Sequence, residues 1–162
     1  MYKFKIEHCL NLVLFISLIS IISAYFIEYV LGYQPCNLCL IQRIPYTLSI
    51  ILIIFSYLYK KNEKIIILLL ALLFALSLII SSYHFGIEQG FFKESAVCGL
   101  KDEAEVMSKE ELLKQLNQKI ISCKDVTFKI FGFSLTMFNI IISTFLLIIL
   151  IKIFRNYEKF KK

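Results

Sequence analysis

Cys36-Asn37-Leu38-Cys39 places two thiols two residues apart, and Arg43 follows on the next turn of chain. A C-x-x-C pair closes a small ring, so its disulfide is open to attack. Thiol–disulfide exchange needs a thiolate nucleophile and an accessible disulfide sulfur, and this spacing supplies both. The same motif occurs in haem attachment, zinc sites and thioredoxin folds. Leu40 stands where haem attachment needs a histidine. A zinc site would want a second close pair, whereas Cys98 and Cys123 are far apart in the chain. A thioredoxin fold needs a strand before the motif, and a long apolar run precedes it. A static loop staple is the bland alternative, although so short a loop gains little from cross-linking.

These thiols lie between runs that require lipid. Hydrophobic residues make up 59% of 162 residues, and the mean hydropathy is +0.76. Surface-to-volume scaling prevents a water-soluble chain of this length from hiding so much apolar surface. The sequence predicts an all-α membrane protein, a bundle of four transmembrane helices. The spans are expected at about 10–30, 40–59, 65–85 and 130–151, within one domain covering 1–162. Each is roughly 20 residues, enough for about 30 Å of hydrocarbon. Continuous runs rather than alternating ones favour helices over barrel strands. The first run is too long for a signal-peptide core and has no clean cleavage site, so it reads as a span.

The basic residues orient the spans. Lys3 and Lys5, then Lys60, Lys61 and Lys64, then Lys152, Arg155, Lys159, Lys161 and Lys162 all fall on one side of a four-span chain. That side is expected to be cytoplasmic, with both termini on it. The net charge of +6 is therefore a topology signal, not a nucleic-acid footprint. The external loops, about 31–43 and 86–129, hold Cys36, Cys39, Cys98 and Cys123. Cysteines facing an oxidising compartment point to disulfides, and four of them allow three connectivities. Cys9, on the other side, reads as an inert packed thiol. In the second loop, Ser108 and Glu111 form a capping box before Leu112, Leu113, Leu116 and Ile120. A short amphipathic helix is expected there, either in the headgroups or on the tops of the spans.

Two charged positions sit near the thiols. Span two would be short if it began after Arg43, so Arg43 should lie inside the outer boundary. It is either a snorkelling anchor or a cation that stabilises a thiolate or polarises an electron acceptor. Pro45 implies a helix that starts near Ile44 or is kinked there. His84, in "SSYHFGIEQG", is either an interfacial polar group or a hydrogen-bond donor and proton carrier. Glu88 follows one helical turn later, with Gly86 weakening the turn between them.

The stretches "PCNLCLIQRIPY", "SYHFGIEQG" and "FGFSLTMFN", in this order among four spans, resemble DsbB, the disulfide bond formation protein B family of bacterial inner membranes. The resemblance covers nearly the whole chain. It implies a multi-pass protein of the bacterial inner membrane with its active cysteines facing the periplasm. It also implies a protein-dithiol:quinone oxidoreductase that re-oxidises a periplasmic thioredoxin-fold partner of DsbA type and passes electrons to ubiquinone or menaquinone. By the same resemblance, Cys98 takes the partner in a mixed disulfide and Cys123 is its mate. Cys36 exchanges with that pair, Cys39 is the thiolate facing the quinone, and Arg43 and His84 lie beside the quinone ring. With no Trp in the chain, aromatic packing around the ring falls to Phe or Tyr, such as Phe128. A scaffold protein with structural disulfides is the competing reading. A transporter would want more ionisable residues at mid-membrane than these spans offer.

Overall fold

Lipid cannot hydrogen-bond a backbone, so a continuous apolar run must satisfy its own amides, and a helix does so. The computed structural model describes residues 2–58, 63–94, 98, 122–124, 128–130 and 132–161. It has four long helices: α1 (Tyr2–Tyr29), α2 (Asn37–Leu58), α3 (Glu63–Glu88) and α4 (Leu135–Lys161). Each contains a stretch long and apolar enough to span a membrane: Ile6–Tyr29, Asn37–Leu58, Glu63–Glu88 and Leu135–Asn156. Among the described residues the chain is all-α apart from a two-stranded hairpin, β1 (Lys129–Ile130) with β2 (Phe133–Ser134).

The bundle is apolar outside and partly polar inside. Ile22, Phe26, Ile51, Phe55, Leu72, Ile79, Ile141 and Phe145 are exposed on its flanks, as lipid-facing residues should be. The buried positions include Ser17, Ser49, Ser56, Ser77, Ser81 and Ser143. Lipid removes the hydrophobic drive between helices, so small residues and interhelical hydrogen bonds hold them together. Ser17 Oγ meets Ser49 Oγ at 2.9 Å between α1 and α2. Ser77 Oγ meets Ser143 Oγ at 3.0 Å between α3 and α4.

The helices pack in chain order, α1 on α2, α2 on α3 and α3 on α4, with little contact between α1 and α4. At the half of the bundle that holds Cys9, an apolar core closes the ring, with Leu10 and Val13 clustered with Phe74, Leu146 and Leu150. Cys9 packs in that core, buried.

Three local features differ from the sequence reading. The fourth helix begins at Leu135 rather than near Ile130. The hairpin occupies the difference: Gly132 turns it with φ +84°, a region that favours glycine. Ser134 then caps α4, its Oγ accepting from the Met137 amide at 3.4 Å. Second, α2 starts at Asn37, before the expected Leu40, and runs through Pro45, which excludes a start near Ile44 and leaves the other alternative, a proline within the span. Proline leaves the Ile41 carbonyl without its helical donor. Hydroxyls support the neighbouring turns, Thr47 to the Arg43 carbonyl (3.1 Å) and Ser49 to the Tyr46 carbonyl (2.7 Å). Third, α3 continues past Gly86 to Glu88. The chain then folds back, and Phe91 and Phe92 amides both donate to the Gly86 carbonyl. A Cβ at residue 86 would lie 2.3 Å from the Phe92 ring, so any larger residue there must push that ring aside. The amphipathic helix expected over 108–120 lies outside the described residues.

Candidate active site

The C-x-x-C spacing is the spacing of a helix cap. Cys36 precedes α2, and its carbonyl accepts the first helical bond from the Leu40 amide (3.2 Å). Its Sγ accepts from the Cys39 amide at 3.3 Å, as an N-cap side chain does from N3. Cys39 sits one turn up, and its Sγ lies 2.8 Å from Cys36 Sγ. Both thiols are free, Cys36 buried and Cys39 partly so. A third donor reaches the same sulfur: His84 Nε2 is 3.6 Å from Cys36 Sγ. Hydrogen bonding from Cys39 and then from His84 outweighs burial and lowers the Cys36 thiol from 9.0 to about 4. The resemblance assigns the thiolate to Cys39, whereas the donors in this state of the pair converge on Cys36.

A chain of side-chain hydrogen bonds holds His84. Tyr46 Oη donates to Asn139 Oδ1. Asn139 Nδ2 donates to Ser81 Oγ (2.7 Å) and to Gln42 Oε1 (3.1 Å). This directs the Gln42 amide NH2 at His84 Nδ1, 3.0 Å away. With Nδ1 accepting, the ring proton is on Nε2 and faces Cys36. Glu88 Oε1 is 3.8 Å from the same Nε2 and accepts from Thr136 Oγ1. Its other oxygen, Oε2, is buried and has no hydrogen-bond partner.

Arg43 faces α1. Its Nη1 pairs with Glu28 Oε2 at 2.5 Å, and its guanidinium lies 4.9 Å from the Tyr25 ring centroid. The charge is thus compensated within the apolar zone rather than left to snorkel alone. Cys36, Cys39, Gln42, Arg43, Tyr46, His84 and Glu88 all line one cavity of about 320 Å³. Ile19, Ala24 and Ile27 of α1 and Phe138 and Ile142 of α4 form its apolar walls, and Tyr33 and Phe128 roof it. Those two rings contact each other at 5.0 Å between centroids, joining the two loops.

Cys98 and Cys123 form a disulfide with Cα atoms 5.6 Å apart, choosing one of the connectivities left open by spacing. Both are buried in one cluster with Cys36, Leu38 and Ile87, and Cys123 also lines the cavity. Glu94 tethers this segment, accepting from Ser122 Oγ and from the Lys124 amide (2.9 Å). The fold therefore gathers all six residues singled out by sequence, five of them at the cavity and Cys98 directly behind it.

Sequence reasoning missed Gln42, Tyr46, Thr136, Asn139 and the Arg43–Glu28 pair. A signal was present. Gln42, Tyr46 and Ser49 recur at helical spacing along α2, as do Ser77, Ser81, His84 and Glu88 along α3 and Thr136, Asn139 and Ser143 along α4. Polar stripes in apolar spans mark faces that meet inside a bundle.

Comparison with known proteins agrees with this geometry. Residues 7–153 match the family described as "Disulfide bond formation protein DsbB". A Rickettsia prowazekii (strain Madrid E) protein, described as "Uncharacterized protein RP370", is 34% identical over 144 residues, covering 87% of this chain and 84% of the relative. No solved structure matches. A match over most of the chain, with both cysteine pairs inside the matched region, shows that this protein belongs to the DsbB family of membrane proteins of disulfide bond formation.

Proposed function

We propose that this protein is a dithiol:quinone oxidoreductase of the bacterial inner membrane, with its cysteine pairs on the periplasmic side. The observation that carries the reading is the packing of two cysteine pairs against each other at one cavity that also holds Arg43 and His84. The basic residues at the opposite helix ends support the orientation.

In this scheme a thiolate of a reduced DsbA-type partner attacks Cys98 Sγ, and Cys123 leaves as a thiolate. The partner's second thiol closes the partner disulfide and frees Cys98. The buried position of Cys98 requires the segment carrying it to lift before attack. The reduced second-loop pair then opens a Cys36–Cys39 disulfide through Cys36, moving two electrons to the first-loop pair. Bridged Cys98–Cys123 with free Cys36 and Cys39 corresponds to the state after that transfer. The cap amide and His84 hold Cys36 as a thiolate. When Cys36 is engaged in a disulfide with the second loop, Cys39 becomes the free member of the pair and takes the negative charge.

The cavity fits a quinone ring. Its volume is within the range of about 300–1,000 Å³ usual for small-molecule sites. Its lining is mostly apolar and includes polar groups beside the thiols. Arg43 and His84 are the residues that would hold the ring beside Cys39. A quinone bound there supplies an acceptor for two electrons and two protons. His84 holds a proton at Nε2, and Glu88 Oε1 lies 3.8 Å from that atom.

The test is quinone reduction by detergent-purified protein, followed by absorbance, with a reduced thioredoxin-fold partner as electron donor. Turnover is expected with wild type and only background with Cys39→Ala. Normal turnover by Cys39→Ala would overturn the reading. A scaffold role has one observation in its favour, the complete burial of Cys98. A Cys98–Cys123 reduction potential below about −300 mV would support that role, and a higher one the relay.

A further inference from the structure

The first-loop thiols do not stand alone. Cys36 Sγ, Cys39 Sγ and His84 Nε2 lie within 4.8 Å of one another. Thiolate and imidazole are the donors preferred by zinc and its soft congeners. A tetrahedral zinc site with metal–sulfur bonds near 2.3 Å and metal–nitrogen bonds near 2.0 Å separates sulfur from nitrogen by roughly 3.6 Å. Cys36 Sγ and His84 Nε2 already have that separation, at 3.6 Å. The two sulfurs, 2.8 Å apart, need only turn outward. Glu88 lies outside this trio but beside its histidine, and is the candidate for the fourth position. Its carboxylate lies 3.8 Å from His84 Nε2 through Oε1, is 5% exposed, and keeps Oε2 buried without a partner. An unpartnered carboxylate oxygen is costly in a protein interior, and a cation shared with the neighbouring donors would satisfy it.

The surroundings also suit a ligating histidine. Coordination through Nε2 requires the proton on Nδ1 and an acceptor for it. Thr136 Oγ1 lies 3.3 Å from Nδ1 and already donates to Glu88 Oε1, so its lone pairs are available. Turning the Gln42 amide, which sits 3.0 Å from Nδ1, offers a second acceptor.

We infer that the reduced first-loop pair is a binding site for a zinc-class divalent cation, held by Cys36, Cys39, His84 and Glu88. Binding exchanges the two thiol protons for the metal, with no change in oxidation state. The disulfide form lacks both thiolates and does not bind. A bound cation therefore locks the pair reduced and stops electron flow through it. This inference does not rest on quinone being the acceptor.

Cobalt(II) is the probe, because tetrahedral thiolate coordination gives it visible and charge-transfer absorption. The full chain in detergent is reduced with a phosphine, freed of reductant and titrated with Co²⁺ anaerobically. One equivalent of tetrahedral Co²⁺ is expected, bleached by Zn²⁺ and absent after the pair is oxidised with diamide. Cys98→Ser/Cys123→Ser should keep the signal, and Cys36→Ala or Cys39→Ala should lose it. Glu88→Gln, which keeps the shape of the side chain, should weaken binding about 10–100-fold. The proposal is overturned if reduced wild type shows no tetrahedral band. It is equally overturned if the band survives Cys36→Ala or disappears with Cys98→Ser/Cys123→Ser. Because the readout is spectroscopic, its failure leaves the quinone assay untouched, and a failed quinone assay leaves the titration interpretable.

Discussion

Away from the first-loop thiols, α1 and α4 both join one apolar core through Leu10, Val13, Leu146 and Leu150, all buried. At the other end the same two helices part around a cavity lined by thiols, an arginine, a histidine and a glutamate. Both halves are made of four helices with lipid-facing apolar flanks. They differ in what the inner faces carry. The first half spends its interior on shape, with Phe74 edge-on to Tyr46 at 5.7 Å. The second fills its interior with hydrogen bonds that converge on His84 and Cys36. Tyr46 stands at the border: its ring packs in the apolar core and its hydroxyl begins the chain to His84. The division teaches that stability and chemistry are separable here along the bundle axis.

Substitutions in the two halves should therefore have opposite signatures. Leu150→Ala should cost about 3 kcal/mol of stability, the lower part of the usual range, since lipid weakens the transfer contribution but not the cavity. Unfolding in mixed micelles measures it, and turnover per folded molecule should be unchanged. A loss of turnover beyond the loss of folded protein would dissolve the distinction. On the other side, Arg43→Met should cut turnover about 10²-fold, as removal of one preorganised charge typically does. Glu28→Gln should cost about tenfold or less, because Arg43 keeps its charge but loses its anchor. Equal losses in the two variants would mean that the pair acts only as a unit.

The thiols provide a test by pH. Cys36 is held at about 4 against an ordinary 9.0. Iodoacetamide labelling of the reduced protein at Cys36 should stay fast down to about pH 5 and fall tenfold per unit below about pH 4. The folded-state value is depressed, so the thiolate's contribution to stability is complete above about pH 9. It declines as pH falls and is gone once pH passes below about 4. The form with Cys36 and Cys39 joined should lack this dependence. The smallest effect is expected at the Ser17–Ser49 contact, where Ser17→Ala should cost about 0.6 kcal/mol, the average for such bonds in membrane bundles.

The four spans were legible because lipid leaves a long apolar run few alternatives to a helix. Cys36, Cys39, Arg43 and His84 were legible because thiols and charges are conspicuous there. The ends and the supporting groups were not. Ile130 reads as the start of a span, yet the chain makes a hairpin turned by Gly132 and begins its helix at the Ser134 cap. Pro45 reads either as a helix start or as a kink within a helix, and sequence does not choose, because a bundle can keep a proline within a span when neighbouring hydroxyls bond its carbonyls. Asn139 and Gln42 are each unremarkable in sequence, since their meaning comes from α2 and α4 meeting across α3. Glu28 looks like an end-of-span acid until Arg43 is seen on the facing helix.

The N-cap of α2 is made from an atom that the proposed relay would oxidise and reduce. Most helices are capped by an oxygen that never changes, whereas here the cap is the Cys36 sulfur. As a thiolate it is a strong acceptor for the Cys39 amide; in a disulfide it is uncharged and a weak one. A cap is worth about 1 kcal/mol, so under the proposed relay each turnover would loosen and retighten the first turn of the helix that carries Cys39. In that relay, electron transfer and the mechanical state of the helix end would keep common time.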